Sequence, residues 1–265
     1  MKIGFIGLGN MATAMIGGML QKGIAKPEDI IGSSKTETTA EKVKTKFNIS
    51  TMTDNNAVAE QADILFLAVK PIFFPEVIAE IKDAVKADTL IVSIAAGRNL
   101  QYLKDAFGRP ELKLIRCMPN TPALVLEGCT GVCAGANVTK EELERVLVML
   151  RSFGIASVVP ERLMDVVVGV SGSSPAYVFM FIEAMADEAV AAGMPRKQAY
   201  EFAAQSVLGS AKMVLETGKH PGELKDMVCS PGGTTIQAVK VLEEKGMRAA
   251  VMDAMDACIE KSKCM

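Results

Sequence analysis

Imidazole is almost missing from this sequence: His220 is the only histidine in 265 residues. A zinc hydrolase or a Cys-His protease needs histidine as ligand or base, and one ring cannot complete either arrangement. Closely paired cysteines are missing as well. The six cysteines, at 117, 129, 133, 229, 258 and 264, include no CxxC pair, so no metal site is expected and reduced, mostly buried thiols in a cytoplasmic protein are the simplest reading. Neither sign of charge dominates, with 29 basic residues against 31 acidic ones. A nucleic-acid partner or an anionic membrane surface would call for a basic excess, and neither is expected. Long apolar runs are missing too. The most apolar stretch, Ala176 to Met194, is interrupted by Glu183, Asp187 and Glu188, and charges in lipid are costly, so no membrane span is expected. No charged-then-apolar leader precedes the first strand pattern, so no signal peptide is expected.

What the chain does contain is 49% hydrophobic and 23% charged residues, the balance of a soluble globular protein of one large or two modest domains. Up to about residue 160, short β-branched runs alternate with amphipathic stretches. Lys2–Ile6, Ile30–Ser33, Ile64–Val69, Thr89–Ile94 and Lys113–Met118 read as buried strands, which with intervening helices predicts a parallel sheet. Gly128–Ala134 and Ile155–Val159 are further strand-like runs, flanking a helix that opens on the capping box Thr139-Lys140-Glu141-Glu142. From Pro160 onward the pattern is helical throughout. The expected domains are therefore 1–160, α/β, and 161–265, all α. The helix after Pro175 is apolar almost all round, and such a surface needs cover on every side. A homodimer supplies it.

Gly7-Leu8-Gly9-Asn10-Met11-Ala12 follows the first strand and opens a helix, the context a GxGxxG/A dinucleotide fingerprint requires. Gly7 makes the tight turn, Gly9 lets the backbone approach a pyrophosphate, and Ala12 allows close helix packing. NAD-selective sites place an acid at the end of the second strand; here that position reads Ser33-Ser34-Lys35, which suits the 2′-phosphate of NADPH, with NADH use left open. Ala68-Val69-Lys70-Pro71 and Ala95-Ala96-Gly97 fall where later strands end, and ligand crevices lie beyond such carboxyl ends. Lys70 is better read as a phosphate or ribose contact than as a general acid. The prolines of Met118-Pro119-Asn120-Thr121-Pro122 fix a turn that can aim Asn120 and Thr121 at the nicotinamide end. In the helical half, Ser171-Gly172-Ser173-Ser174-Pro175 and Ser230-Pro231-Gly232-Gly233-Thr234-Thr235 each put small and hydroxyl residues before a helix, where free amides can trap a carboxylate.

The motifs GLGNMA, AVKP, MPNTPA, SGSSPAY, HPGELKD and SPGGTTI, in this order over essentially the whole chain, resemble those of pyrroline-5-carboxylate reductases. The resemblance implies a Rossmann domain followed by a helical dimerisation domain, reduction of the small molecule 1-pyrroline-5-carboxylate to L-proline with NADPH or NADH, and a homodimer at least, up to a decamer built of dimers. It carries cofactor contacts onto Gly7, Leu8, Gly9, Asn10, Met11, Ser34, Asn56, Ala68, Lys70, Pro71, Ala95 and Asn120. Substrate contacts fall on Ser230, Gly232, Gly233, Thr234 and Thr235. Met227 and Thr234 depart from the family pattern, which bears on the shape of the substrate pocket.

The reaction suits a chain so poor in acids and bases of neutral pKa. A cyclic imine can take its proton from solvent, and the iminium carbon accepts hydride with little help beyond orientation and charge placement. In this reading Thr235 is the catalytic residue, bonding the ring nitrogen, while the amides of Gly232, Gly233 and Thr234 hold the carboxylate. His220 reads as a structural residue at a helix start. A β-hydroxyacid dehydrogenase would want a lysine between Val166 and Gly193, where there is none. A prephenate-type dehydrogenase would want a histidine earlier than His220. A protein that senses NADP without turnover would have no use for a carboxylate trap.

Overall fold

The computed structural model describes residues 1–264 and separates into two compact units, residues 1–173 together with the chain from Cys258, and residues 174–257. In the first unit eight strands form one sheet: β1 (Ile3–Ile6), β2 (Ile30–Ser33), β3 (Ser50–Met52), β4 (Ile64–Leu67), β5 (Leu90–Ser93), β6 (Lys113–Met118), β7 (Gly128–Ala134) and β8 (Gly154–Val158). Their order is β3-β2-β1-β4-β5-β6-β7-β8. Between them run α1 (Asn10–Gln21), α2 (Glu37–Phe47), α3 (Asn55–Gln61), α4 (Phe74–Ile81), α5 (Leu100–Phe107) and α6 (Lys140–Leu150).

β1, β2, β4 and β5 are buried along their whole length, as strands covered by helices on both faces must be. Alternation then divides their side chains between two cores. Ile3, Phe5, Ile64 and Phe66 pack with Met15, Ile16 and Val146 on one face, while Ile6, Leu65 and Leu67 pack with Val58, Ile78 and Leu103 on the other. Phe5 and Phe66 stack across the β1–β4 pair with ring centroids 4.8 Å apart, which fixes the register at the middle of the sheet.

Two features differ from the sequence expectation. β3 adds a three-residue edge strand, too short and too polar to carry a periodic signal. β7 runs antiparallel to β6, so the sheet is not wholly parallel. The connection 119–127 explains why: it is a 3-10 turn, Thr121–Val125, where a parallel return would need a crossover of roughly a dozen residues or more.

The compact unit built on the sheet runs on to Ser173. Segment 161–173 stays with the sheet as a 3-10 turn (Glu161–Leu163), α7 (Met164–Val167) and a π turn (Val168–Gly172). Met164 is fully buried in the second core, and Glu161 Oε1 accepts from the Leu100 amide at 2.7 Å.

The second unit comprises α8 (Ser174–Ala191), α9 (Arg196–Thr217), α10 (Pro221–Val228), α11 (Thr234–Glu244) and most of α12 (Met247–Lys263). Helices α8 and α9 pack on each other, yet the hydrophobic side chains fully buried between them are only Ala186, Ala199 and Ala203. Large ones are left outside: Phe179 is 62% exposed, Met180 69% and Phe202 61%. Ile182, Met185, Val190 and Met194 pack against these alanines but stay partly exposed, so the unit has a thin core and a large apolar surface of the kind that a second protein surface covers. The continuous helical run Glu161–Ala191 is long and apolar enough to cross a membrane by length and composition; Glu183, Asp187 and Glu188 fall near its C-terminal end, after an uncharged stretch from Val166 to Ile182.

Candidate functional site

The connections from β1 and β4 leave the sheet towards opposite faces, and such a switch point opens a crevice beyond the strand ends. A cleft of about 500 Å3 occupies this place, walled by Gly7, Leu8, Gly9, Ser34, Lys35, Ala68, Val69 and Lys70 among others. Gly7 has φ +95, and a Cβ there would meet the Ala68 backbone at 2.8 Å. Both the sign of φ and the space demand glycine. Gly9 is different. Its φ is −76 and a Cβ on it would meet nothing within 4 Å, so the protein's own packing does not explain the residue, whereas close approach of a pyrophosphate does. Helix α1 begins at once, and no side chain caps it, which leaves its first amides and its dipole facing the cleft. These residues fit a dinucleotide.

At the end of β2 the Ser34 hydroxyl donates to the Thr36 carbonyl at 2.8 Å, and Lys35 Nζ lies 5.6 Å from the centre of the Phe73 ring. Lys35, Thr36, Thr39 and Phe73 all line the cleft, so a cation, two hydroxyls and an aromatic face meet at this end of it. Sequence reasoning missed Thr36, Thr39, Thr53, Asn55, Phe73, Glu76, Val77 and Glu80. The helix-start pattern Thr36-Glu37-Thr38-Thr39 could have flagged the first two; nothing local marks which face of α4 turns to the cleft. Asn55 stands in the wall, and its neighbour Asn56 does not.

Ala95, Ala96, Gly97 and Asn120 lie past the ends of β5 and β6 and outside the cleft wall; Asn10 and Met11 at the start of α1, Pro71 after β4 and the buried Ser33 at the end of β2 are not in the wall either. Asn120 is not aimed outward as its prolines imply. It is buried, its Nδ2 donates to the Ser171 carbonyl at 2.9 Å and its Oδ1 accepts from the Cys129 amide at 2.8 Å. Its amide braces the π turn and the start of β7. The Ser171–Pro175 segment is no anion trap either, because the Ser173 amide donates back to the Val168 carbonyl at 2.8 Å and the backbone there is already helical.

In the second unit Ser230–Gly233 forms a turn in which Gly232 has φ +69 and the Gly233 amide donates to the Ser230 carbonyl at 3.0 Å. That amide is therefore engaged, and the free donors are those of the first turn of α11, beginning at Thr234, where no side chain caps the helix. Thr235 is half-buried in that turn. His220 Nδ1 accepts from the Gly222 amide at 3.1 Å and caps α10, the structural role expected of it. Burial pushes the Cys117 thiol up, and burial with the nearby Glu161 carboxylate pushes Cys133 up to about 11. Neither is a thiolate nucleophile at neutral pH.

Sheet order, glycine turn and uncapped helix define a Rossmann nucleotide-binding domain joined to an all-helical unit that is complete only as part of an oligomer. Residues 161–265 match the family described as pyrroline-5-carboxylate reductase dimerisation, and residues 2–97 match the family of coenzyme F420-dependent NADP oxidoreductases. The chain is 56% identical over 262 residues to the pyrroline-5-carboxylate reductase of Escherichia coli (strain K12), covering 99% of this chain and 97% of that one. The crystal structure of Plasmodium falciparum pyrroline carboxylate reductase with NADP bound superposes with a TM-score of 0.89 at 34% identity, covering 99% and 97% of the two chains. The Streptococcus pyogenes 1-pyrroline-5-carboxylate reductase superposes at 0.90 with 35% identity, covering 100% and 99%. This chain belongs to the pyrroline-5-carboxylate reductase family, and its helical half is the dimerisation domain of a homodimer.

Proposed function

We infer that this chain is an enzyme that reduces 1-pyrroline-5-carboxylate to L-proline at the expense of NADPH, the last step of proline biosynthesis. The observation that carries the reading is the cleft at the β1–β4 switch point, with Gly9 open to it, on a chain 56% identical to the Escherichia coli reductase. A bound nicotinamide supplies the hydride. The protein's part is to bind, orient and exclude water. The α1 amides, Gly7, Gly9 and Lys70 hold the pyrophosphate; Ser34, Lys35 and Thr36 take the 2′-phosphate.

The substrate carboxylate sits on the Ser230 hydroxyl and the free amides at the start of α11, where the helix dipole favours an anion. Thr235 donates or accepts at the ring nitrogen and holds it as the iminium becomes an amine. No protein acid is required, since the imine arrives protonated from solvent. NADH serves as a second hydride source, the dimers assemble into a decamer, and the free thiols suit a cytoplasmic location. The test is direct: purified protein mixed with pyrroline-5-carboxylate and either reduced cofactor loses nicotinamide absorbance and yields proline. Cofactor binding without turnover would reduce the chain to a nucleotide-binding protein.

A further inference from the structure

An acid is missing from the end of β2, but carboxylates are not missing from the cleft. Glu76 and Glu80, both on α4, line it together with Ser34 and Lys35. Glu80 is the one held in place: Asn55 Nδ2 donates to its Oε2 at 2.8 Å, and Asn55 Oδ1 accepts from the Ser33 hydroxyl at 2.7 Å. Ser33 is fully buried. A chain of hydrogen bonds thus runs from the last residue of β2 to a carboxylate on the facing helix. That carboxylate is tethered to the strand end where NAD-selective sites carry their own acid. It can accept from a ribose 2′-hydroxyl, because a carboxylate has room for more donors than one, and it opposes a 2′-phosphate through like charge.

We propose that Glu80, positioned by Asn55, is a specificity-determining residue: it limits the preference for NADPH that Ser34 and Lys35 create and admits NADH to the same cleft. The proposal rests on the reading of this cleft as the dinucleotide site. Glu80 is exposed, so water and salt screen its charge and the effect is moderate, about three- to tenfold in relative affinity.

The experiment is calorimetric titration of the full-length protein with NADP+ and with NAD+, for the wild type, Glu80→Gln, Glu76→Gln and Glu80→Lys. Glu80→Gln keeps an oxygen for Asn55 and removes only the charge. Its NADP+ affinity should rise while NAD+ affinity holds or falls, moving the ratio about three- to tenfold towards NADP+, and Glu80→Lys should move it further. Glu76→Gln, whose carboxylate Asn55 does not hold, should move it less. The ratio is read within one preparation, so partial loss of folded protein cancels. Both nucleotides binding the wild type, with an unchanged ratio in Glu80→Gln, overturns the proposal and leaves the site intact. An equal or greater shift in Glu76→Gln overturns it too. A wild type that binds neither nucleotide overturns the dinucleotide reading and the proposal together.

Discussion

A Cβ on Gly7 would stand 2.8 Å from both the carbonyl carbon and the carbonyl oxygen of Ala68, so the ends of β1 and β4 meet at a point that admits no side chain. Gly7→Ala should therefore damage the fold itself, through a positive φ and a backbone clash. The expected cost is about 2 to 4 kcal/mol, or roughly 5 to 15 °C in melting temperature. Gly9→Ala meets nothing of the protein within 4 Å and should melt like the wild type, while NADPH affinity falls at least about tenfold because the pyrophosphate can no longer approach the backbone. Melting curves and cofactor titrations on the two variants read the difference. If Gly9→Ala bound NADPH normally, the pyrophosphate would have to be placed elsewhere.

Cofactor choice tests the other end of the cleft. Lys35→Glu sets a carboxylate against the 2′-phosphate and should weaken NADPH much more than NADH, since only one of them carries that charge. Steady-state kcat/KM with each cofactor decides it. An equal loss for both would show that Lys35 contacts a part of the nucleotide common to the two.

How far the sequence discloses this site depends on how local each feature is. The Gly7–Ala12 turn and the buried strand runs are legible because a glycine of positive φ and a four-residue apolar run are set by neighbouring residues. Asn120 is not, because its side chain is held by Cys129 and by Ser171, nine and 51 positions away, and two prolines beside it give no hint of either partner. The same holds for the direction of β7, which follows from the length of a connection and not from the strand's own residues. Asn55 and Glu80 reach the cleft only through the packing of α3 and α4, 25 positions apart. Segment 171–175 looks like a helix cap by composition, but the π turn Val168–Gly172 already takes in its first residues and the Ser173 amide bonds back to the Val168 carbonyl, neither of which the local composition marks.

The dimer prediction starts from α8, where Phe179 and Met180 are 62% and 69% exposed on the isolated chain. Replacing Phe179 by Glu should break the covering contact, since a charge buried without a partner is far more costly than the ring it replaces. Light scattering should show the wild type as a dimer or larger, and the variant should dissociate, lose activity and melt earlier. A wild type that is fully active as a monomer would remove the idea.

His220 offers a clean distinction between a cap and a proton donor. His220→Ala loses the bond from the Gly222 amide and should cost about 0.5 to 2 kcal/mol of stability. The turnover number should stay within about twofold of wild type, with the same pH profile, whereas removal of a general acid typically lowers the rate by about a hundredfold or more. A large fall in kcat with unchanged melting temperature would return His220 to the chemistry.

Thr235 carries the one side-chain role assigned to catalysis, and it stands half-buried in the first turn of α11, whose start no side chain caps. If that hydroxyl bonds the substrate nitrogen, and bonds it more tightly as the iminium becomes an amine, then Thr235→Ala should lower kcat as well as raise KM, because part of the lost interaction belongs to the transition state. One hydrogen bond involving a charged group contributes about 1.5 to 3 kcal/mol, so the loss in kcat/KM should be roughly ten- to a hundredfold. Thr235→Ser keeps the hydroxyl and drops a methyl group, and it should retain most of the activity. Equal impairment in both variants would mean that the residue only packs the turn before α11. No effect of Thr235→Ala would move the hydrogen bond to another donor, of which the nearest by sequence are the Thr234 hydroxyl and the backbone amides beside it.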